Sequence, residues 1–148
     1  MPAANKKLRV LFLCTGNSCR SQMAEGWARA LHPDTVEAYS AGIAAHGLNP
    51  KAVRVMAEAG VDISSQTSKT LDALEGVDFD WVITVCGHAH ETCPIFPHGA
   101  RVVHHGFDDP PKLAAGAGSE DEALAHYRRV RDEIRAYVAT LPDRLKGD

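Results

Sequence analysis

Residues 8–21 read LRVLFLCTGNSCRS, and this stretch decides the fold. Its first six residues, apolar but for Arg9, are of strand length, too short for a helix and apolar enough to read as a buried strand. A polar, glycine-containing loop from Cys14 to Arg20 follows. A helix then runs from about Ser21 to Leu31, with Met23, Trp27, Ala30 and Leu31 at i, i+4, i+7 and i+8. A buried strand that feeds a helix through a tight loop is the opening unit of a parallel α/β sheet.

The rest of the chain repeats that alternation. Residues 35–39 read as a short strand at a sheet edge. Pro50 opens a second helix carrying Val53, Met56 and Ala57, which Gly60 stops. Residues 69–76 read as another short helix. Residues 81–85 (WVITV) and 101–104 (RVVH) read as two further strands. Ser119 and Glu122 form a capping box ahead of the last helix, whose stripe is Leu124, Tyr127, Val130, Ile134, Tyr137 and Val138. The expectation is one doubly wound α/β domain over residues 1–148. It has three layers and a central, mostly parallel four-stranded sheet.

Length and charge agree with that expectation. A chain of 148 residues buries roughly 70% of its unfolded surface and needs no metal or disulfide staple to fold. With 16 Lys and Arg against 19 Asp and Glu, its net charge argues weakly against nucleic acid as the main ligand, which calls for a basic face. A small anion needs only a local pocket. No apolar run approaches the ~18 residues of a membrane span. The run VLFL is shorter than the ~7–15 residues of a secretory h-region, and no small-residue cleavage site follows it. The expected location is the cytoplasm. There four cysteines, Cys14, Cys19, Cys86 and Cys93, point to catalysis or metal binding rather than to structural disulfides.

Ligands of such sheets bind beyond the carboxyl ends of the strands. Cys14 follows the first strand, Cys86 follows strand 81–85, and Asp108 and Asp109 follow strand 101–104. The topology therefore gathers three sequence-distant groups at one edge. The loop Cys14, Thr15, Gly16, Asn17, Ser18, Cys19, Arg20 offers unpaired backbone N–H groups at a helix N-terminus, a nest for a tetrahedral oxyanion. Gly16 permits an unusual backbone angle, and Arg20 can fork onto two oxygens. The same field favours the Cys14 thiolate. Ser21 either donates to that thiolate or caps the helix. Asn17 can hold the loop shape through side-chain hydrogen bonds. Cys19 reads as a structural or protective thiol. The alternative for the whole loop is a buried cysteine in a tight turn with Arg20 on the surface.

The pattern C-x5-R-S after a buried strand resembles the low-molecular-weight protein tyrosine phosphatase superfamily. The fuller stretches CTGNSCRSQMAEGW (14–27), SAGIAAHGLNP (40–50), VCGHAHETCP (85–94), GFDDP (106–110) and YRRVRDEI (127–134) are similar to its thioredoxin-coupled arsenate reductase branch. That resemblance implies reduction of arsenate to arsenite by a relay of Cys14, Cys86 and Cys93. Cys14 attacks arsenic, and Asp109 protonates the departing oxygen, with Asp108 as the competing acid. Cys86 releases arsenite by forming a Cys14–Cys86 disulfide, and Cys93 then forms Cys86–Cys93, which thioredoxin reduces.

If residues 86–93 were helical, the two Cα atoms would stand ~10.5 Å apart, beyond the ~7 Å that a disulfide allows, so the segment must distort on oxidation. No bound cofactor is implied, since the relay cycles only thiols. Cys86, His88, His90 and Cys93 offer four metal-ligand types, but not at the spacing of the usual zinc sites.

Many reductases of this kind hold a potassium ion beside the loop. The matching positions are Asn17, Glu25, Ser40 and Thr67. Where a further acidic ligand is expected, this chain has Lys69. A lysine cannot ligate a cation. The expectation is therefore a potassium-independent enzyme, with the ammonium pairing with Glu25 and bracing Asn17. The alternative pairs Glu25 with Arg29 and turns Lys69 to water. The rival function is a tyrosine phosphatase using Cys14, Arg20 and Asp109. Against it stand Gln22, where such phosphatases have proline, and Pro111-Lys112, where they carry aromatic residues.

Overall fold

The structure, a computed structural model, describes residues 7–86 and 100–146. Four strands form one sheet in which every pairing is parallel: β1 (Leu8–Cys14), β2 (Val36–Gly42), β3 (Trp81–Thr84) and β4 (Arg101–His104), in the order β2-β1-β3-β4. Residues 10–14 of β1 and all of β3 are buried. Strands buried at successive positions have both faces covered, as their continuous apolar runs require. Each large apolar side chain of β1 contributes about 1.5–3 kcal/mol by that burial.

β2 lies at the sheet edge, as expected, but runs three residues further than its alternation signalled. Ser40, Ala41 and Gly42 have little strand preference of their own. Their pairing with Phe12, Leu13 and Cys14 sets the conformation. Helix α1 (Arg20–Leu31) packs against β1, β2 and two other helices. It is accordingly buried at every position from Arg20 to Ala28, whereas Ala30, expected in the core, is exposed.

Helix α2 (Pro50–Glu58) begins where proline needs no N–H partner. Asn49 caps it, accepting from Lys51 N at 2.8 Å and Ala52 N at 3.2 Å. Its core face is Ala52, Val55 and Met56, with Val53 half-buried against it and Ala57 exposed. Gly60 takes the left-handed conformation just beyond its end, φ +87°. The helix expected within residues 69–76 is a single 3-10 turn, Leu71–Leu74.

Two short helices, α3 (Pro110–Ala114) and α5 (Asp143–Lys146), had no periodic signal. Between them α4 (Glu120–Ala139) carries the expected stripe, buried throughout. Ser119 Oγ accepts from Glu122 N, and the Glu122 carboxylate reaches back to Gly118 N rather than to the cap residue.

The strand order sets the site. From β1 the chain proceeds to β2 on one side, and from β3 to β4 on the other. The crevice between the carboxyl ends of β1 and β3 is thus the topological switch point. Cys14 ends β1, and Cys86 lies two residues past β3.

Candidate active site

A second segment splints the 14–20 loop from outside. Backbone N–H groups of Ile43, Ala44, His46 and Asn49 donate to the carbonyls of Cys14, Thr15, Gly16 and Ser18 at 2.9–3.1 Å. Gln22 Nε2 donates to the carbonyl of Asn17 at 3.0 Å. With its carbonyls drawn outward, the loop keeps its amides for the crevice. Among the described residues, no protein acceptor takes the N–H groups of Gly16 to Arg20. That is the electropositive nest an oxyanion needs.

Asn17 supplies the unusual backbone angle, at φ +48°. This corrects the expectation placed on Gly16. Asparagine tolerates the left-handed region when its side chain is bonded locally. Here Oδ1 accepts from Lys69 N at 2.8 Å and Gln22 Nε2 at 3.0 Å, and Nδ2 donates to Ser21 Oγ at 2.9 Å. Gly16 is glycine for a different reason. A Cβ there would lie 2.3 Å from His46 Nδ1.

Ser21 is fully buried, and the N-cap residue of α1 is Cys19, with no side-chain cap bond. The capping alternative for Ser21 therefore fails. Because its oxygen accepts from Asn17, its own hydrogen remains to be donated.

The fold makes the Cys14 and Cys86 thiols interacting neighbours, and Thr15 Oγ1 lies 3.2 Å from Cys86 Sγ. Both cysteines are 4% exposed. The Cys86 thiol, together with burial, holds Cys14 well above the ordinary thiol range. The Arg20 charge and the Thr15 N–H oppose that rise. The expected thiolate is thus overruled while the two thiols face each other. Cys19 is buried too, and burial pushes it up to about 12, which fits a structural thiol.

Arg20 crosses the pocket. Nη1 donates to the Phe107 carbonyl at 3.0 Å, Nη2 stands 3.7 Å from Asp109 Oδ2, and buried Nε has no partner among the described residues. The surface alternative for Arg20 is excluded. The two aspartates separate cleanly. Asp108 pairs with Arg129 at 3.0 Å on the outside. Asp109 heads α3 without capping it and lines the pocket, a cavity of about 230 Å³ walled also by Cys14, Arg20, His46 and Pro111. Cys93, His88 and His90 lie outside the described residues.

The positions matching a potassium site do not fit that ion. The half-buried Lys69 ammonium donates to the Ser40 carbonyl at 3.1 Å, and burial holds its pKa below the usual lysine range. Glu25 accepts from Ser40 Oγ at 2.5 Å and pairs with Arg29 at 2.6 Å. Each earlier alternative is therefore half right. Arg29 takes the direct ion pair with Glu25, yet Lys69 points inward, and its backbone N–H rather than its ammonium braces Asn17. Thr67 contributes its carbonyl, to Gln22 Nε2 at 3.0 Å.

Several supporting residues escaped the sequence reading. Gln22 was read only as a departure from phosphatases, yet it ties Asn17 to Thr67 and receives Gln66 Nε2. Asn49 joins the loop to α4 through Tyr127 Oη, at 3.0 Å. His46 reaches the pocket. The long-range bonds of these residues carry no local signal, because those partners are 30 to 78 residues away; only the Gln22–Asn17 bond and the Asn49 cap of α2 are local.

Comparison with known proteins agrees with this geometry. Residues 9–148 match the family model of the low molecular weight phosphotyrosine protein phosphatase. A protein named arsenate reductase from Halalkalibacterium halodurans is 52% identical over 139 residues, 94% of this chain and 97% of its own. A solved structure described as an arsenate reductase in the oxidized state superposes with a TM-score of 0.74 at 32% identity, covering 90% of this chain and 95% of that one. The low molecular weight protein tyrosine phosphatase from T. tengcongensis superposes with a TM-score of 0.72 at 29% identity, covering 93% and 99%. No helix among the described residues is long and apolar enough to cross a membrane. With a cysteine, an arginine and an anion nest at the switch point of a four-stranded parallel sheet, the chain belongs to the low molecular weight phosphotyrosine protein phosphatase family.

Proposed function

We propose that the protein reduces arsenate to arsenite in the cytoplasm, through Cys14, Cys86 and Cys93, with thioredoxin as the reductant. One observation carries this reading: a second buried thiol, Cys86, neighbours Cys14 and lies 3.2 Å from Thr15 Oγ1 of the anion-binding loop. A hydrolytic phosphatase has no use for a thiol there. The names of the relatives add support.

The nest and Arg20 hold three oxygens of arsenate, and the fourth faces Asp109. Arrival of the anion draws on Arg20 and the loop amides, and Ser21, oriented by Asn17, donates to the Cys14 thiolate. Cys14 Sγ bonds to arsenic. One As–O bond breaks, and its oxygen leaves as water with a proton from Asp109. Arsenic is still pentavalent at this point. Cys86, its thiolate stabilised by Thr15 Oγ1, then attacks Cys14 Sγ. The S–S bond forms, the S–As bond breaks, and its electron pair reduces arsenic to the trivalent state, which leaves as arsenite. Cys93 attacks Cys86 Sγ and frees Cys14. Reduced thioredoxin then takes the Cys86–Cys93 disulfide through a mixed disulfide and becomes oxidised itself.

The test is arsenate-dependent oxidation of NADPH with thioredoxin and thioredoxin reductase present. Continuous turnover supports the reading. Arsenate-independent hydrolysis of aryl phosphates with no NADPH consumption would assign the site to a phosphatase instead.

A further inference from the structure

We infer that His46 reads the outward-facing oxygen of the bound oxyanion and so selects free inorganic oxyanions over phosphate or arsenate esters. The inference rests on the reading of the pocket as an oxyanion site, and it names the substrate class that the pocket prefers.

His46 is the one residue of the 43–49 segment whose side chain lines the pocket. Its position is built, not incidental. Its N–H donates to the Gly16 carbonyl at 2.9 Å, and Ser68 Oγ donates to that same carbonyl at 3.3 Å. Ser68 Oγ in turn accepts from Gly47 N at 3.1 Å. Gly47, at φ +90°, turns the chain away immediately afterwards. The imidazole then lies so close on Gly16 that Nδ1 and Cγ would stand 2.3 and 2.8 Å from any Cβ there. One edge of the ring is thus seated on the loop. The residue is otherwise exposed, which places the ring at the mouth of the pocket.

A tetrahedral oxyanion seated in the nest directs three oxygens to the loop amides and Arg20, and the fourth toward the mouth. That fourth position is where the two ligand classes differ. A free oxyanion presents a hydroxyl or an oxide there, which an imidazole can hydrogen-bond. An ester presents a carbon-bearing oxygen and a bulky group, from which the imidazole gains nothing. Asp109 and Pro111 line the same pocket, so the acid and His46 share the cavity that the anion fills.

The experiment compares His46→Ala and His46→Gln with the unaltered enzyme. Three readouts are taken: steady-state arsenate reduction, competitive inhibition by inorganic phosphate, and hydrolysis of p-nitrophenyl phosphate. His46→Ala is expected to raise the KM for arsenate and the Ki for phosphate about tenfold, the effect of one hydrogen bond to a charged group. The KM for p-nitrophenyl phosphate should stay within about twofold, and kcat for arsenate within about threefold, since an interaction shared by ground and transition states moves KM alone. His46→Gln, which retains an N–H donor, should recover part of the affinity.

An unchanged Ki for phosphate overturns the inference. So does an equal loss for phosphate and p-nitrophenyl phosphate, which would make His46 only a brace for the loop. Absence of arsenate reduction by the unaltered enzyme would refute the reductase reading, while phosphate inhibition of p-nitrophenyl phosphate hydrolysis still decides the role of His46.

Discussion

Thr15 Oγ1 and Cys86 Sγ lie 3.2 Å apart, so the residue that follows Cys14 in sequence holds the second thiol of the site. This contact joins the two strand ends across the switch point. It puts the thiols where one can attack the other without any rearrangement of the sheet.

The cysteines should therefore fail in distinguishable ways. Cys14→Ser is expected to abolish turnover. Cys86→Ser should form a covalent arsenic adduct and stop. Cys93→Ser should release one equivalent of arsenite and accumulate the Cys14–Cys86 disulfide, as read by mass spectrometry. The same contact predicts an alkylation profile. Cys86 raises the Cys14 pKa, so at neutral pH less Cys14 is thiolate than in an isolated cysteine. Removing that thiol in Cys86→Ala should move the midpoint of Cys14 carbamidomethylation by iodoacetamide to lower pH. A midpoint that does not move would show that the Cys86 thiol does not control Cys14.

Much of this site could be read from residues 8–21, because strand, nest and helix start are local and their chemistry follows from residue type. Topology places Cys86 and the pair Asp108 and Asp109, since parallel strands bring their carboxyl ends to one edge, and the resemblance singles out Asp109. What could not be read is the second layer of bonds. Nothing in the sequence marks the 43–49 segment as the splint of the loop, because backbone N–H groups leave no trace in residue identity. Nor could the Cys14 pKa be read, since its sign depends on whether Arg20 or Cys86 is the stronger neighbour, a matter of distance. The assignment of the left-handed angle to Gly16 went wrong for a related reason. Asn17 affords that angle only because Lys69, Gln22 and Ser21 bond its side chain.

The two aspartates should differ sharply on substitution. Asp109→Asn leaves the charge of Arg20 intact but removes the proton donor facing the pocket. It is expected to lower kcat for arsenate by about 10²-fold or more, in the range of general acid catalysis. Asp108 makes an exposed ion pair with Arg129, worth about 0–1 kcal/mol. Asp108→Asn should accordingly change kcat by less than about threefold. Steady-state kinetics of both variants decide the matter, and a larger loss in Asp108→Asn would reassign the acid.

Potassium should have no specific effect. The Lys69 ammonium is bonded to the Ser40 carbonyl, and Glu25 is committed to Arg29 and Ser40 Oγ. A cation entering this cluster would meet a fixed positive charge at close range and would find the Glu25 carboxylate already engaged. The bracing an ion could give is supplied instead by the chain, since Lys69 N holds Asn17 Oδ1 and the Lys69 carbonyl takes Gly42 N at 2.8 Å. Replacing potassium by sodium at constant ionic strength should leave kcat, KM and Tm unchanged within error. A potassium-specific rise in Tm or fall in KM would refute this. Lys69→Met separates the two roles of the residue. It keeps the backbone bonds to Asn17 and Gly42, removes the ammonium, and leaves the Ser40 carbonyl without that donor beside Glu25. Its Tm should fall, because Glu25 loses a neighbouring positive charge, while the iodoacetamide profile of Cys14 should hardly move if Asn17 is held by the backbone alone. Lys69→Asp replaces the ammonium by a carboxylate beside Glu25. Its stability should then rise with potassium more than with sodium, a response that the unaltered enzyme lacks.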